Sequence, residues 1–435
     1  MAGLDPATQW PRVCAASRLK SRRRLTKHYN EYPARTDVRA LGGRVKAGHD
    51  DVVGWRDTMT FTYEAYPQDR VHFGKSVRET LGDEVERLNA KRVFIATSKT
   101  LRQNTGALSL IATTLGNKCV AIFDDIAEHA KLDGVLAATK AARETKADLL
   151  VGIGGGSVID GLKVVQLALT ENADTPEALI ALAGRRHTKP AAIRQIAIPT
   201  TLSGAETTPF GGGTDTKRGK LGFAGLSLVP QVIIYDPALG ALTAEWLWLS
   251  SAIRGVDHCC EGYIAKNANP LTDIALTRAL SLFATSLRHT KKIPGDPFAR
   301  IDSQVAAYLA CANSSRSGTG ASHGIGYILG GRYGVHHGHS SCVMLPHVLR
   351  WNEPATAARQ RELSIAIGRP NAPLADAVAE LIKDLGLPAR LRDVGIKQDQ
   401  LQAIADEAAK HPTVLANPKP ITGSGDIMEI LRAAW

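Results

Sequence analysis

The chain has 435 residues, 44% of them apolar and 22% charged, with a formal net charge of +11. That length predicts two domains rather than one core, and the ordinary balance of apolar and charged residues excludes a disordered or fibrous chain. No apolar run reaches the ~20 residues of a membrane-spanning helix. The N-terminus lacks the apolar core of a secretory signal, and the six cysteines form neither a CxxC pair nor a disulfide framework. A reduced, cytoplasmic setting without a membrane partner is expected.

Residues 1–58 carry twelve Lys/Arg against six Asp/Glu, densest in RLKSRRRLTK from Arg18 to Lys27. A basic arm can hold a phosphate backbone without sequence preference. No helix-turn-helix, RNP or zinc-finger pattern accompanies it, so no specific nucleic acid is expected. The segment reads as a disordered basic extension. Met59 is a second candidate start, because MTFTYEAYPQDRVHFGKS opens a strand-rich text at once.

From residue 59 to about residue 240, strands and helices alternate. Strand-like runs are Arg92–Thr97, Cys119–Phe123, Asp148–Ile153, Gln195–Ile198 and Val229–Tyr235. Helical periodicity fills the gaps, as in Asp133–Thr145 and Val158–Thr170. This rhythm predicts an α/β nucleotide-binding domain on a mostly parallel sheet. Within it, GGGSVIDGLK from Gly154 to Lys163 joins a strand to a helix through glycines. Such a junction offers unpaired backbone N–H groups and the positive helix end to an anion, most simply a dinucleotide pyrophosphate. Ser157 and Asp160 have the spacing of a capping box.

From residue 241 to 435 the text is helical, in Thr243–Ala265, Asn269–Leu287 and Pro373–Leu385. An all-helical metal or substrate domain is expected there, with the active site in the cleft between the two domains. His258 falls inside the first of these helices. His323 and His337 lie in glycine-rich text fourteen residues apart, read as separate turns. Three histidines so placed could converge on a divalent metal; His336 and His339 are further candidates.

Five stretches in this order resemble the iron-containing alcohol dehydrogenase superfamily, including its maleylacetate reductase branch. They are RVHFGKS near Val71, GGGSVIDGLK at Gly154, IPTTLSGAE at Ile198, DHCCEGYIAKNANPLTD at Asp257 and GASHGIGYILGGRYGVHHGHSSCVMLPHVLRWN at Gly320. The resemblance implies the dehydroquinate synthase-like fold of that superfamily, a nucleotide-binding α/β domain followed by an all-α domain. It implies hydride transfer between NAD(H) or NADP(H) and a small-molecule substrate, and a homodimer or larger homo-oligomer. Gly155, Gly156, Ser157 and Asp160 match the pyrophosphate loop. Thr200, Thr201 and Leu202 match the segment beside the nicotinamide ribose. Ser98 stands where some NAD-preferring relatives carry an Asp, and with Lys99 beside it a 2′-phosphate would be tolerated.

In metal-dependent members an Asp and three His bind Fe²⁺ or Zn²⁺, and His258, His323 and His337 fall on the three His positions. Arg254 stands in place of the Asp, four residues before His258 and on the same helix face. A guanidinium cannot ligate a cation. Asp257 is no substitute, being turned about 100° from His258 round the helix. Arg254 has two readings: an ion pair with Glu261 along its face, or a clamp for a substrate carboxylate that replaces the metal's charge. Maleylacetate reductases resemble the second arrangement. Their pattern implies a reductase of an anionic substrate, with His258, His323 or His337 as acid or electrostatic stabiliser and Tyr327 as a phenolic donor. The alternatives are a metal-dependent dehydrogenase of neutral alcohols or aldehydes, a dehydroquinate synthase-type lyase, and a basic-arm nucleic-acid binder. Asp160, which many maleylacetate reductases lack, sides with the alcohol dehydrogenases.

Overall fold

The computed structural model describes residues 60–435 apart from residues 105 and 128; the basic extension and Met59 lie outside the described residues. Strands β1 Arg70–Phe73, β2 Val93–Thr97, β3 Cys119–Phe123, β4 Leu149–Gly154, β6 Arg194–Pro199 and β9 Val232–Tyr235 form one parallel sheet in the order β1-β9-β6-β4-β2-β3. Strands β2 and β4 are buried along their whole length. Their unbroken apolar text, VFIAT and LLVGIG, is what helices on both faces of a parallel sheet require. A second sheet holds β5 Arg186–His187 and the antiparallel pair β7 Phe210–Asp215 and β8 Gly219–Gly225. That hairpin is absent from the sequence reading. FGGGTDTKRGKLGFAG resembles a loop because six of its residues are glycine, and strand propensity is low wherever backbone freedom is high.

Helices α1 Val77–Arg87, α2 Lys99–Asn104, α3 Ala107–Leu115, α4 Leu132–Glu144, α5 Gly156–Glu171 and α6 Pro176–Leu182 cross between the strands. All six strands of the main sheet run the same way, so the ends of β2, β4 and β6 open on one edge. In such sheets ligands bind at that edge.

After the short helix α7 Pro237–Gly240 the chain is helical: α8 Glu245–Ile264, α9 Pro270–Lys292, α10 Pro297–Ser317, α11 Ala321–Tyr333, α12 His337–Ala366, α13 Leu374–Asp384, α14 Leu401–Ala408, α15 Pro412–Leu415 and α16 Ser424–Ala434. The starts are written in the sequence. Asn269 and Asp296 each accept N–H bonds from the first turn, with proline following as the first helical residue. The predicted α8 and α13 appear within two residues of their expected ends. Helix α8 is buried almost all round, as a central helix must be. Its neighbours α9, α10, α12 and α13 pack a single apolar core around it. His323 and His337 are not on turns. They are the third residue of α11 and the first of α12, because Gly318 closes α10, Gly320 is the N-cap of α11 and Gly334 closes α11, which leaves each histidine inside the helix that follows.

Candidate active site

The end of β4 runs straight into α5. The N-cap is Gly155, extended at φ −80° and ψ −176°, and no side chain caps the helix. The expected capping box is therefore absent: the helix starts at Gly156, which carries Ser157 into the first turn. Ser157 Oγ accepts the His129 N–H at 3.1 Å. Asp160 turns toward the β7–β8 hairpin, where a Cβ added to Gly212 would lie 3.3 Å from its Oδ2. Burial raises the Asp160 pKa, against the pull of Lys163 and Lys220. The helix start keeps its backbone donors for a ligand.

Residues from the end of β6 close over this turn. A Cβ on Gly155 would come within 3.1 Å of Thr201 Cγ2, and one on Gly156 within 2.9 Å of Ser203 Oγ. Any larger residue at either position would have to displace these side chains. Thr200 is tied to the helical layer by the Thr243 hydroxyl, which donates to its carbonyl at 2.7 Å. The Leu202 N–H donates to Ser251 Oγ on α8 at 3.1 Å. At the end of β2, Ser98 caps α2 by accepting the Leu101 N–H. Lys99 pairs with Asp125 at 2.5 Å.

Helix α8 carries Arg254, Asp257, His258 and Glu261 at i, i+3, i+4 and i+7, along one stripe. Glu261 receives the start of α11: its oxygens accept the N–H groups of Gly320 at 2.8 Å, Ser322 at 2.7 Å and His323 at 3.2 Å. A carboxylate is favoured there by the helix dipole. Glu261 Oε2 also takes His323 Nδ1 at 2.8 Å. Asp257 Oδ2 accepts the hydroxyls of Ser322 and Ser341 at 2.8 and 2.6 Å, and Oδ1 lies 3.4 Å from His323 Nδ1.

His323 is fully buried. Burial and Arg254 oppose its charge, yet Asp257 and Glu261 prevail and raise its pKa. Burial also works against Asp257, whose pKa is nevertheless lowered by His323 and Arg254. Two carboxylates on Nδ1 make that nitrogen the donor, leaving Nε2 toward His258 Nδ1 at 3.0 Å. His258 is partly accessible. Burial, His323 and Arg254 hold its pKa well below the usual value, so it is a neutral imidazole. Ser314 Oγ lies 2.9 Å from its Nδ1 and Cys311 Sγ 3.6 Å from its Nε2.

His337 enters from α12. Its Nε2 meets Lys220 Nζ of β8 at 2.8 Å, and its Nδ1 is buried without a partner. Burial, then Lys220 and Arg254, keep it neutral. Tyr327 of α11 stands between the imidazoles, its ring 6.4 Å from His323 and 6.3 Å from His337. Arg254 and Lys220 each lie 5.4 Å from the centre of that ring. Desolvation of its head group lowers the Lys220 ammonium to about 8, with Asp160 opposing and Arg254 assisting. Arg254 does not pair with Glu261, correcting that reading. Its Nη1 donates to Ser341 Oγ at 3.3 Å and lies 3.8 Å from Asp257 Oδ2. His258, His323, His337, Arg254 and Tyr327 thus form one cluster. His336 and His339 turn away, against the exposed Trp246 ring at 5.0 and 5.6 Å.

Fe²⁺ or Zn²⁺ can be tested against this donor set. Metal ligands must present free lone pairs. His337 Nε2 faces an ammonium, His323 spends both nitrogens on Glu261 and His258, and a guanidinium occupies the fourth position. Asp257, Glu261 and His323 do bring ligand atoms within 4.8 Å of one another. Both Glu261 oxygens, however, are bound by the α11 backbone and Asp257 Oδ2 by two hydroxyls, so that of these three residues only Asp257 Oδ1 is buried without a hydrogen-bond partner. The residues do not fit a divalent cation as they stand.

Sequence reading missed Lys220 and the anchoring work of Glu261 and Asp257. The signal for Glu261 was present: three residues after His258 puts it on the same face. Lys220 had none, since only the hairpin brings it to α12.

Residues 67–237 match the family model described as iron-containing alcohol dehydrogenase, and residues 250–435 the one described as Fe-containing alcohol dehydrogenase family, C-terminal. The dehydrogenase ALT3 of Alternaria alternata is 32% identical over 79% of this chain and 98% of its own length. A maleylacetate reductase of Sphingobium indicum is 28% identical, covering 86% and 97%. The crystal structure of a 1,3-propanediol oxidoreductase superposes with a TM-score of 0.80 at 28% identity, covering 86% of this chain and all of the other. With the parallel sheet, the open glycine turn and the histidine cluster in the same chain order, this protein belongs to the iron-containing alcohol dehydrogenase family and is an NAD(P)-dependent oxidoreductase.

Proposed function

We propose that the chain reduces an anionic carbonyl or enoate substrate, in the manner of a maleylacetate reductase. The observation that carries this reading is Arg254, a buried guanidinium where a metal ligand would otherwise stand. Nη1 is held by Ser341, which leaves Nε and Nη2 for a carboxylate, the group a guanidinium fork matches best. In this reading the pyrophosphate of NAD(H) or NADP(H) sits on the start of α5 at Gly155, Gly156 and Ser157, with Asp160 behind them. Thr200, Thr201 and Leu202 flank the nicotinamide ribose, and Ser98 lies beside the adenosine ribose. The nicotinamide supplies the hydride. Tyr327 and His258 border the space where the reduced carbon would lie, and either can return a proton to the product. The domain boundary falls near residue 240, between the sheet that carries the nucleotide and the helices that carry the substrate.

A metal-dependent dehydrogenase of neutral alcohols is favoured by one observation, the close approach of Asp257, Glu261 and His323. The two readings separate in one assay series. Oxidation of NADH and NADPH is followed with maleylacetate and with propionaldehyde, before and after EDTA, for the wild type and Arg254→Ala. The proposal expects activity to survive EDTA and KM for maleylacetate to rise on the order of 100-fold in the variant, as loss of a bidentate carboxylate contact implies, with little change for propionaldehyde. Equal effects on both substrates would remove the carboxylate clamp.

A further inference from the structure

The metal position is contradicted by two cations, and one of them has no role in the reading above. Lys220 sits at the start of β8, opposite Thr214 in the hairpin register. Its side chain is solvent-accessible, although Asp160, Tyr327, Arg254 and His337 surround it. Among the described residues the ammonium forms no salt bridge. It donates to the neutral His337 Nε2 at 2.8 Å, so one N–H is fixed and two remain on the side of the Tyr327 ring, whose centre lies 5.4 Å away. Asp160 of α5, the helix whose start fits the pyrophosphate, lies on its other side. Lys220 therefore stands where the nucleotide layer meets the histidine cluster.

We infer that Lys220, oriented by His337, is a catalytic electrophile that hydrogen-bonds the reacting carbonyl oxygen and takes over the role of a divalent cation. The inference rests on the reading of this cleft as the site of carbonyl reduction. Hydride leaves the dihydronicotinamide and forms a C–H bond at the carbonyl carbon of an aldehyde, or at the carbon β to the ketone of an enone such as maleylacetate. In an aldehyde the C–O π bond breaks and in an enone the C=C π pair shifts through the conjugated carbonyl; either way the pair ends on oxygen, and the Lys220 N–H groups stabilise that oxyanion or enolate until a proton from Tyr327 or His258 completes the product. Charge that develops in the transition state is where a fixed ammonium acts most strongly. Lys220 differs from Arg254 in consequence. The guanidinium selects substrates that carry a carboxylate, whereas the ammonium serves every carbonyl that is reduced.

The test uses the full chain with Lys220→Met and Lys220→Arg, assayed on both maleylacetate and propionaldehyde. NADH affinity is measured separately by fluorescence titration and folding by circular dichroism. Lys220→Met is expected to lower kcat about 100-fold or more on whichever carbonyl the wild type reduces, the size seen when one oxyanion donor is removed. Its Kd for NADH should stay within about twofold, and Lys220→Arg should recover at least about tenfold of the loss. A wild type that reduces only propionaldehyde would end the anionic-substrate reading and leave this comparison intact. Three results would each overturn the inference: kcat of Lys220→Met within twofold of wild type, a loss explained by weakened NADH binding, or an arginine variant no better than methionine.

Discussion

Glu261 shows how much a single side chain holds in place. Three backbone N–H groups and one imidazole nitrogen converge on its two oxygens, all of them buried. Glu261→Gln replaces one acceptor by a donor facing those N–H groups. The expected cost is about 3 kcal/mol of unfolding free energy, the range for breaking a buried charged network, read from urea denaturation. His323 should lose its fixed tautomer at the same time. His347 tests the electrostatics away from the cluster. Burial, with Arg350 assisting, lowers its pKa to about 4. A lowered pKa means that between about 6.5 and 4 the unfolded chain binds a proton that the folded one refuses. Stability is thus lost as pH falls through that window. Wild type should lose more than His347→Gln over that range, by at most about 1.4 kcal/mol per pH unit; identical slopes would contradict the assignment.

At the scale of elements, the site depends on how closely α12 approaches α8. A Cβ on Gly338 would lie 2.4 Å from the Ser250 carbonyl oxygen, which is backbone and cannot step aside. Gly338→Ala must therefore push the first turn of α12, and His337 with it, away from α8. A loss of about 2 kcal/mol in stability is expected, together with a fall in kcat because His337 no longer meets Lys220. Normal kinetics in a stably folded Gly338→Ala protein would mean that this approach does not position His337. The β7–β8 hairpin makes the same point from the other side: its antiparallel register carries Lys220 to α12.

For the whole molecule, the nucleotide reading has a thermodynamic consequence. A dinucleotide seated on α5 and reaching the helical layer binds only the folded chain. At a concentration 100 times its Kd it should add about 2.7 kcal/mol to unfolding. A thermal unfolding series with NADH and with NADPH measures this and also ranks the two cofactors, since in this reading the adenosine end would lie beside Ser98 and the Lys99–Asp125 pair. No stabilisation by either would remove the nucleotide from the start of α5.

The five predicted strands and the main helices were legible because burial on both faces of a parallel sheet forces unbroken apolar text, and because caps, prolines and glycines mark helix ends. The glycine turn at Gly154–Gly156 was legible for the same local reason. The substitution of Arg254 could be read from its place in the helix, four residues before His258. Its partner could not, for Asp257 and Glu261 both lie within two turns, and only the crossing of α8 with α11 and α12 gives Glu261 to the α11 backbone and Asp257 to two serines. Lys220 was silent altogether. Local sequence makes some backbone conformations cheap, and so it determined the elements and the glycine turn. Which polar groups face one another across 117 residues of chain, as Lys220 and His337 do, is set by long-range packing, and that only the tertiary structure decided.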